Sequence, residues 1–218
     1  MIRTILALHK SSGIYVATSH LWLRLMSRLR GAVIGSHCGS RSLSIGPRSY
    51  IRGLSCIRIG PGFETAEGLW LEALTSFAGK DYAPRIVIGD RVHISRWSHI
   101  AAINSIDIGS DVLIGSNVLI SDHSHGSYRG IVHSDPTIAP MNRGLSSNGP
   151  VTIGRNVWIG DHAVITPGCS VGEGSIIGAN SVVTNDIPPF TIAVGSPAQC
   201  IKVFDFSVRE WVDSRREH

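Results

Sequence analysis

From Ile153 to Thr184 the chain reads in sixes: IGRNVW, IGDHAV, ITPGCS, VGEGSI, IGANSV, then VT. An aliphatic residue opens every unit, and Gly follows it in all but the ITPGCS unit. The fifth place is held by Val157, Ala163, Cys169, Ser175 and Ser181, all small or compact. A repeat this short excludes ordinary sheets and helical bundles and predicts a parallel β-helix built from hexapeptides. Three short strands would make one turn of a triangular prism, about 18 residues to a coil. The aliphatic residue points inward and stacks on its equivalents in the coils above and below. The fifth residue lies where the interior narrows, which leaves Cys169 as a small structural hydrophobe. No coil buries its apolar side alone, so stability comes from stacking.

The same phase runs upstream through Ile88, Ile94 and Ile100, then Ile108, Ile114 and Ile120. The offset between those coils is two residues too long, which predicts a bulge near Asn104–Ile106. Stacking then defines three faces. Face one holds Ile88, Ile108, Ile153 and Val171; face two holds Ile94, Ile114, Ile159 and Ile177; face three holds Ile100, Ile120, Ile165 and Val183.

At 218 residues the chain is long enough for one domain with end pieces, and 43% hydrophobic content is ample for a core. The net charge of +4 is scattered rather than blocked, which speaks against nucleic acid. Cys38, Cys56, Cys169 and Cys200 show no CxxC spacing and suit reduced thiols in the cytoplasm. Residues 1–30 form an N-terminal helical cap: LWLRLMSRLR places Leu21, Leu25 and Leu29 at helical spacing, and Gly31 would end the helix. This helix either covers the first coil or, with Trp22 and Arg24, Arg28 and Arg30, makes a weak peripheral membrane contact through residues 20–30. Residues 31–202 form the β-helix. Ile34-Gly35, Ile45-Gly46, Ile51, Ile57 and Ile59-Gly60 read as early irregular coils, and residues 63–87 as a joining segment out of phase. Residues 126–150 break the repeat as an extruded loop, and loops this long are usually functional. Residues 203–218 carry a short C-terminal helix, near Phe206 to Arg216.

The unit just before the extruded loop is Ile120-Ser121-Asp122-His123-Ser124-His125. Two histidines at the exit corner can be presented to solvent, and a neutral imidazole is a good general base near neutral pH. On spacing alone they could equally be ordinary surface histidines.

The run IGRNVWIGDHAVITPGCSVGEGSIIGANSVVTNDIPPFTIAVGSPAQCIK resembles the hexapeptide-repeat acyltransferases, in the branch with maltose, galactoside and Nod-factor acetyltransferases. The DHSHG run is similar to that of acetyltransferases from bacterial surface-polysaccharide clusters. The resemblance covers residues 85–203. It implies a left-handed parallel β-helix, an exception to the usual crossover hand. It further implies a homotrimer with active sites between subunits, acetyl-CoA as donor, no required metal, and a sugar hydroxyl as acceptor. By position His125 is the implied catalytic base, with His123 orienting it or touching the acceptor. Asp122 is the candidate to hold the imidazole tautomer, and Asn104 loosely matches the family's acceptor-binding Asn. For the donor, the resemblance implies Trp158, Ala179 and Asn180 along the pantetheine groove, with Asp161 where relatives carry a small polar residue. Thr184 and Asn185 occupy the VTKD motif, with Asn185 in place of Lys. Gln199 replaces a common Arg of the GxPARxI motif, and Lys202 remains for the CoA 3′-phosphate.

Two other readings share the prism. A zinc enzyme like the γ-class carbonic anhydrases needs three histidines around one ion, and His93 and His99 lie on successive corners. A non-catalytic scaffold would bind no CoA.

Overall fold

The aliphatic columns stack in register. Ile88 pairs with Ile108, Ile108 with Ile153, and Ile153 with Val171. Ile94, Ile114, Ile159 and Ile177 form the second column, and Ile100, Ile120, Ile165 and Val183 the third. All twelve are buried, and burying one such side chain contributes about 1.5–3 kcal/mol. The computed structural model, which describes residues 2–40 and 42–214, is thus a left-handed parallel β-helix with three parallel sheets. The narrow positions behave as their size requires. Ala163, Cys169, Ser175 and Ser181 are buried. The Ser175 hydroxyl donates to Pro188 O at 2.8 Å, and Ser181 Oγ accepts from Gly195 N at 3.1 Å. The corners turn through the left-handed region, often at Asn: Asn117, Asn156 and Asn180 have φ 56, 57 and 58°.

The prism begins earlier than the six-residue phase shows. Glu64–Thr65 stacks on His93–Ile94, and Trp70–Ala73 on His99–Ala102. Residues 63–73 are therefore part of a regular coil and not an out-of-phase joint. Thr65 stands in the inward column where later coils have Ile, and Phe63 in the place of Val92, which hides the repeat. Thr65 is tolerated inside because its hydroxyl donates to Ala66 O at 3.1 Å and accepts from Gly46 N at 3.0 Å.

The N-terminal helix runs Ile2–Cys38, past Gly31. Ile34-Gly35 is its last turn rather than an early coil. Gly31 and Gly35 are there for close approach, since a Cβ would collide with Leu43 O and Ser40 O. The glycine that ends the helix is Gly39, at φ 82°, with Ser40 N–H donating back to Gly35 O at 3.0 Å. Ile45 N–H donates to Ser27 O at 3.0 Å, tying helix to first coil.

The expected C-terminal helix is absent over the described residues. Ala198–Asp205 and Glu210–Asp213 form an antiparallel hairpin, so residues 210–213 are strand. An Asp205 side chain that accepts from Ser207 N (2.8 Å) and Oγ (2.6 Å) makes the turn. Phe204 meets Phe206 and Trp211 edge-on at 5.0 and 5.3 Å, and Phe190 meets Phe206 at 4.9 Å. These aromatic contacts select the sheet. The part of the expected helix beyond Ser214 lies outside the described residues.

Candidate active site

One corner of the prism, between faces three and one, carries an excursion in three successive coils. Residues 74–84 leave it after Ala73 and fold into a small hairpin, Ser76–Phe77 with Lys80–Asp81. Ile103–Asn104 form the bulge of the next coil, between strands His99–Ala102 and Ser105–Ile108. The third excursion leaves after Ser121 and returns at Val151. It starts earlier than residue 126, because Ser124–His125 already pairs antiparallel with Leu145–Ser146.

A second apolar cluster, separate from the prism core, joins the three. Leu74, Ile103 and Leu145 are buried together, with Phe77 and Tyr82 packed against them. Leu145 N–H donates to Tyr82 Oη at 2.8 Å, and that hydroxyl donates to Leu145 O at 3.1 Å. The long loop braces itself: Arg143 donates to Tyr128 Oη at 2.7 Å and to Ile138 O at 2.8 Å, and the Tyr128 hydroxyl donates to His125 O.

Asp122 sits beneath this platform with no exposed surface. Its carboxylate accepts from Ile103 N at 2.9 Å and Asn104 N at 2.8 Å, so it clamps the bulge. It also contacts His123 Nδ1 at 3.0 Å. The imidazole it orients is thus that of His123, whose side chain is only 10% exposed. Ser121 Oγ lies 3.4 Å from the same nitrogen. Asn104 is exposed beside the returning loop, with Nδ2 3.4 Å from Ser147 Oγ.

His125 differs from its neighbour in every respect. It pairs with Leu145 through its backbone, is exposed, and meets Phe77 edge-on at 5.0 Å. Among the described residues neither ring nitrogen is in a hydrogen bond. Phe77 and Tyr82 were not among the residues singled out from sequence. Both lie in the segment 63–87, which the sequence showed only as out of phase.

The structure brings Asp122, His123, His125 and Asn104 to one corner. The residues expected at the donor are spread over the later coils. Trp158 is exposed on face two between Leu113 and Ile176. Asp161 Oδ1 accepts from Ser116 N at 2.7 Å, which ties two coils together. Ala179 and Asn180 are exposed at a corner. Asn185 Nδ2 donates to Thr184 Oγ1 at 3.2 Å. Gln199 and Lys202 lie on the hairpin, opposite Val194 and Ile192. His93 and His99 each have their own carboxylate, Glu64 at 3.6 Å and Glu72 at 3.2 Å. Among the described residues no cluster of three or more His, Cys, Asp or Glu could hold a metal.

The fold is a hexapeptide-repeat β-solenoid with a histidine-bearing arm at one corner. Residues 150–185 match the model described as "Bacterial transferase hexapeptide (six repeats)". The chain is 40% identical over 166 residues to WbbJ of Escherichia coli K12, a protein assigned by name to O-acetyl transfer in lipopolysaccharide biosynthesis. That match covers 74% of this chain and 79% of WbbJ. Identity to the galactoside O-acetyltransferase of E. coli K12 is 37% over 141 residues, covering 62% of this chain and 61% of that one, under two thirds of its length. A solved galactoside acetyltransferase in complex with coenzyme A superposes with a TM-score of 0.50 at 25% identity, covering 87% of this chain and 86% of that one. This chain belongs to the bacterial hexapeptide-repeat transferase family.

Proposed function

We propose that the protein is an acetyl-CoA-dependent O-acetyltransferase acting on a sugar hydroxyl in surface-polysaccharide biosynthesis. The observation that carries this reading is His125, an exposed imidazole whose ring nitrogens make no hydrogen bond among the described residues, on a braced arm at the prism corner. The relatives' names supply the reaction class: both are O-acetyltransferases, and one solved relative is a coenzyme A complex.

The chemistry follows from the groups. An acceptor hydroxyl attacks the thioester carbonyl while His125 takes its proton. The tetrahedral oxyanion is met by a backbone N–H of an adjacent coil. Collapse expels the CoA thiolate, which takes up the proton held by the imidazolium, and leaves the acetyl ester. Trp158, Asp161, Ala179, Asn180, Thr184, Asn185 and Gln199 would line the donor groove, with Lys202 on the 3′-phosphate. Asn104 would touch the acceptor. No metal is required for these steps.

The working unit in this reading is a homotrimer in the cytoplasm. The outward columns of two faces are largely apolar and call for cover: Trp70, Leu119 and Val164 on face three, interrupted by His99, and Leu113, Trp158 and Ile176 on face two, beyond Glu64 and His93. Face one is mixed, presenting Arg58, Val87, Asp107, Thr152 and Ser170.

A second reading has one observation in its favour. The Asp122–His123 contact at 3.0 Å is the arrangement that orients a general base. Against it, His123 is nearly buried and its Nδ1 is committed. The proposed activity is tested by acetyl-CoA consumption against a panel of free, nucleotide-linked and lipid-linked sugars. Sugar-dependent release of CoA thiol is expected. A protein that binds no CoA and turns over with no sugar would be a scaffold instead.

A further inference from the structure

We infer that the N-terminal helix docks the protein on an anionic lipid surface. The helix has two opposite faces. At 3.6 residues per turn, Ser27, Gly31, Gly35 and Cys38 share one side, and all four are buried against the first coils. Trp22, Leu25, Leu29 and Val33 share the other, with exposures of 61, 53, 52 and 67%. Nothing among the described residues covers them. Arg28 and Arg30 flank that apolar stripe, one on each edge, and among the described residues neither is in an ion pair.

The occupant follows from charge and length. The helix contains Arg3, Lys10, Arg24, Arg28 and Arg30 and no Asp or Glu. A second copy would bring the same cations against these, which repel. No described helix is long and apolar enough to cross a membrane. An apolar stripe with Trp at its end and arginines along both edges suits a helix lying in the headgroup region. There the stripe enters the acyl boundary and the arginines meet lipid phosphates.

The test is co-sedimentation of the full chain with phosphatidylcholine vesicles, with and without phosphatidylglycerol. Binding to the phosphatidylglycerol vesicles is expected, weakening as salt is raised. Arg28→Gln with Arg30→Gln should lower that affinity by roughly tenfold or more. Trp22→Ser, Leu25→Ser and Leu29→Ser together should abolish it, with circular dichroism unchanged. The inference fails if anionic vesicles are not bound, if both vesicle types are bound equally, or if neither variant changes binding. It also fails if the serine variant lowers the mass seen by light scattering, since the stripe would then be an interface between copies.

Discussion

Tyr82 and Leu145 are joined by two hydrogen bonds running in opposite directions, 2.8 Å from the Leu145 amide to the phenol and 3.1 Å from the phenol to the Leu145 carbonyl. The pair links the small hairpin of one coil to the long loop of another. It fixes the ribbon on which His125 stands, because His125 pairs with Leu145.

Tyr82→Phe should therefore loosen the arm without melting the prism. A buried amide left without its acceptor costs about 1–3 kcal/mol. Limited proteolysis should cut faster near the fully exposed Ile131, while the Tm of the prism barely moves. Unchanged cleavage would show that the apolar cluster alone holds the loop.

Asp122→Ala should destabilise the whole corner. Two main-chain donors, Ile103 N and Asn104 N, lose their acceptor, a loss of roughly 2–5 kcal/mol in denaturant unfolding. His123→Ala should be milder in stability. A fully stable Asp122→Ala protein would mean that water replaces the carboxylate at little cost.

Asp186 supplies a pH signature. Its carboxyl is held below the usual range, first by the Ser170 amide, which donates to Oδ1 at 2.7 Å. A depressed carboxylate stabilises above its unfolded pKa, about 3.9, and that contribution disappears as pH falls through the folded value. Asp186→Asn should lower Tm near neutrality, and the gap from the native protein should close in acid. A gap that widens on acidification would reverse the assignment.

Lys202→Glu should weaken CoA binding by about 1.5–3 kcal/mol if its ammonium meets the 3′-phosphate. Calorimetry with CoA reads this directly. An unchanged affinity removes Lys202 from the donor site.

The prism was legible because its rule is periodic: Ile88, Ile108 and Ile153 repeat one role at one phase. It faded where a role passed to another residue type, as at Thr65, whose own hydrogen bonds let a polar side chain sit in the aliphatic column. The helix end was misplaced because two glycines serve different purposes. Gly31 allows contact with Leu43, whereas Gly39 supplies the left-handed turn. The C-terminal helix was misread because Phe204, Phe206 and Trp211 are held by ring contacts across a hairpin, which local spacing does not show. At the site, His125, His123 and Asp122 were legible as a run. Which imidazole the carboxylate holds was not, since that depends on how Ile103–Asn104 folds beneath it. Phe77 and Tyr82 were invisible as site residues, being about 40 or more positions from the loop they brace.

The most direct test compares His125→Ala and His123→Ala in steady-state acetyl transfer to an acceptor sugar. Loss of a general base lowers rate by about 10²–10⁴-fold. The account predicts that fall in kcat for His125→Ala, with CoA affinity and oligomeric mass retained, and a smaller loss for His123→Ala. Near-normal turnover by His125→Ala beside an inactive, folded His123→Ala would contradict it and make His123, held by Asp122, the base.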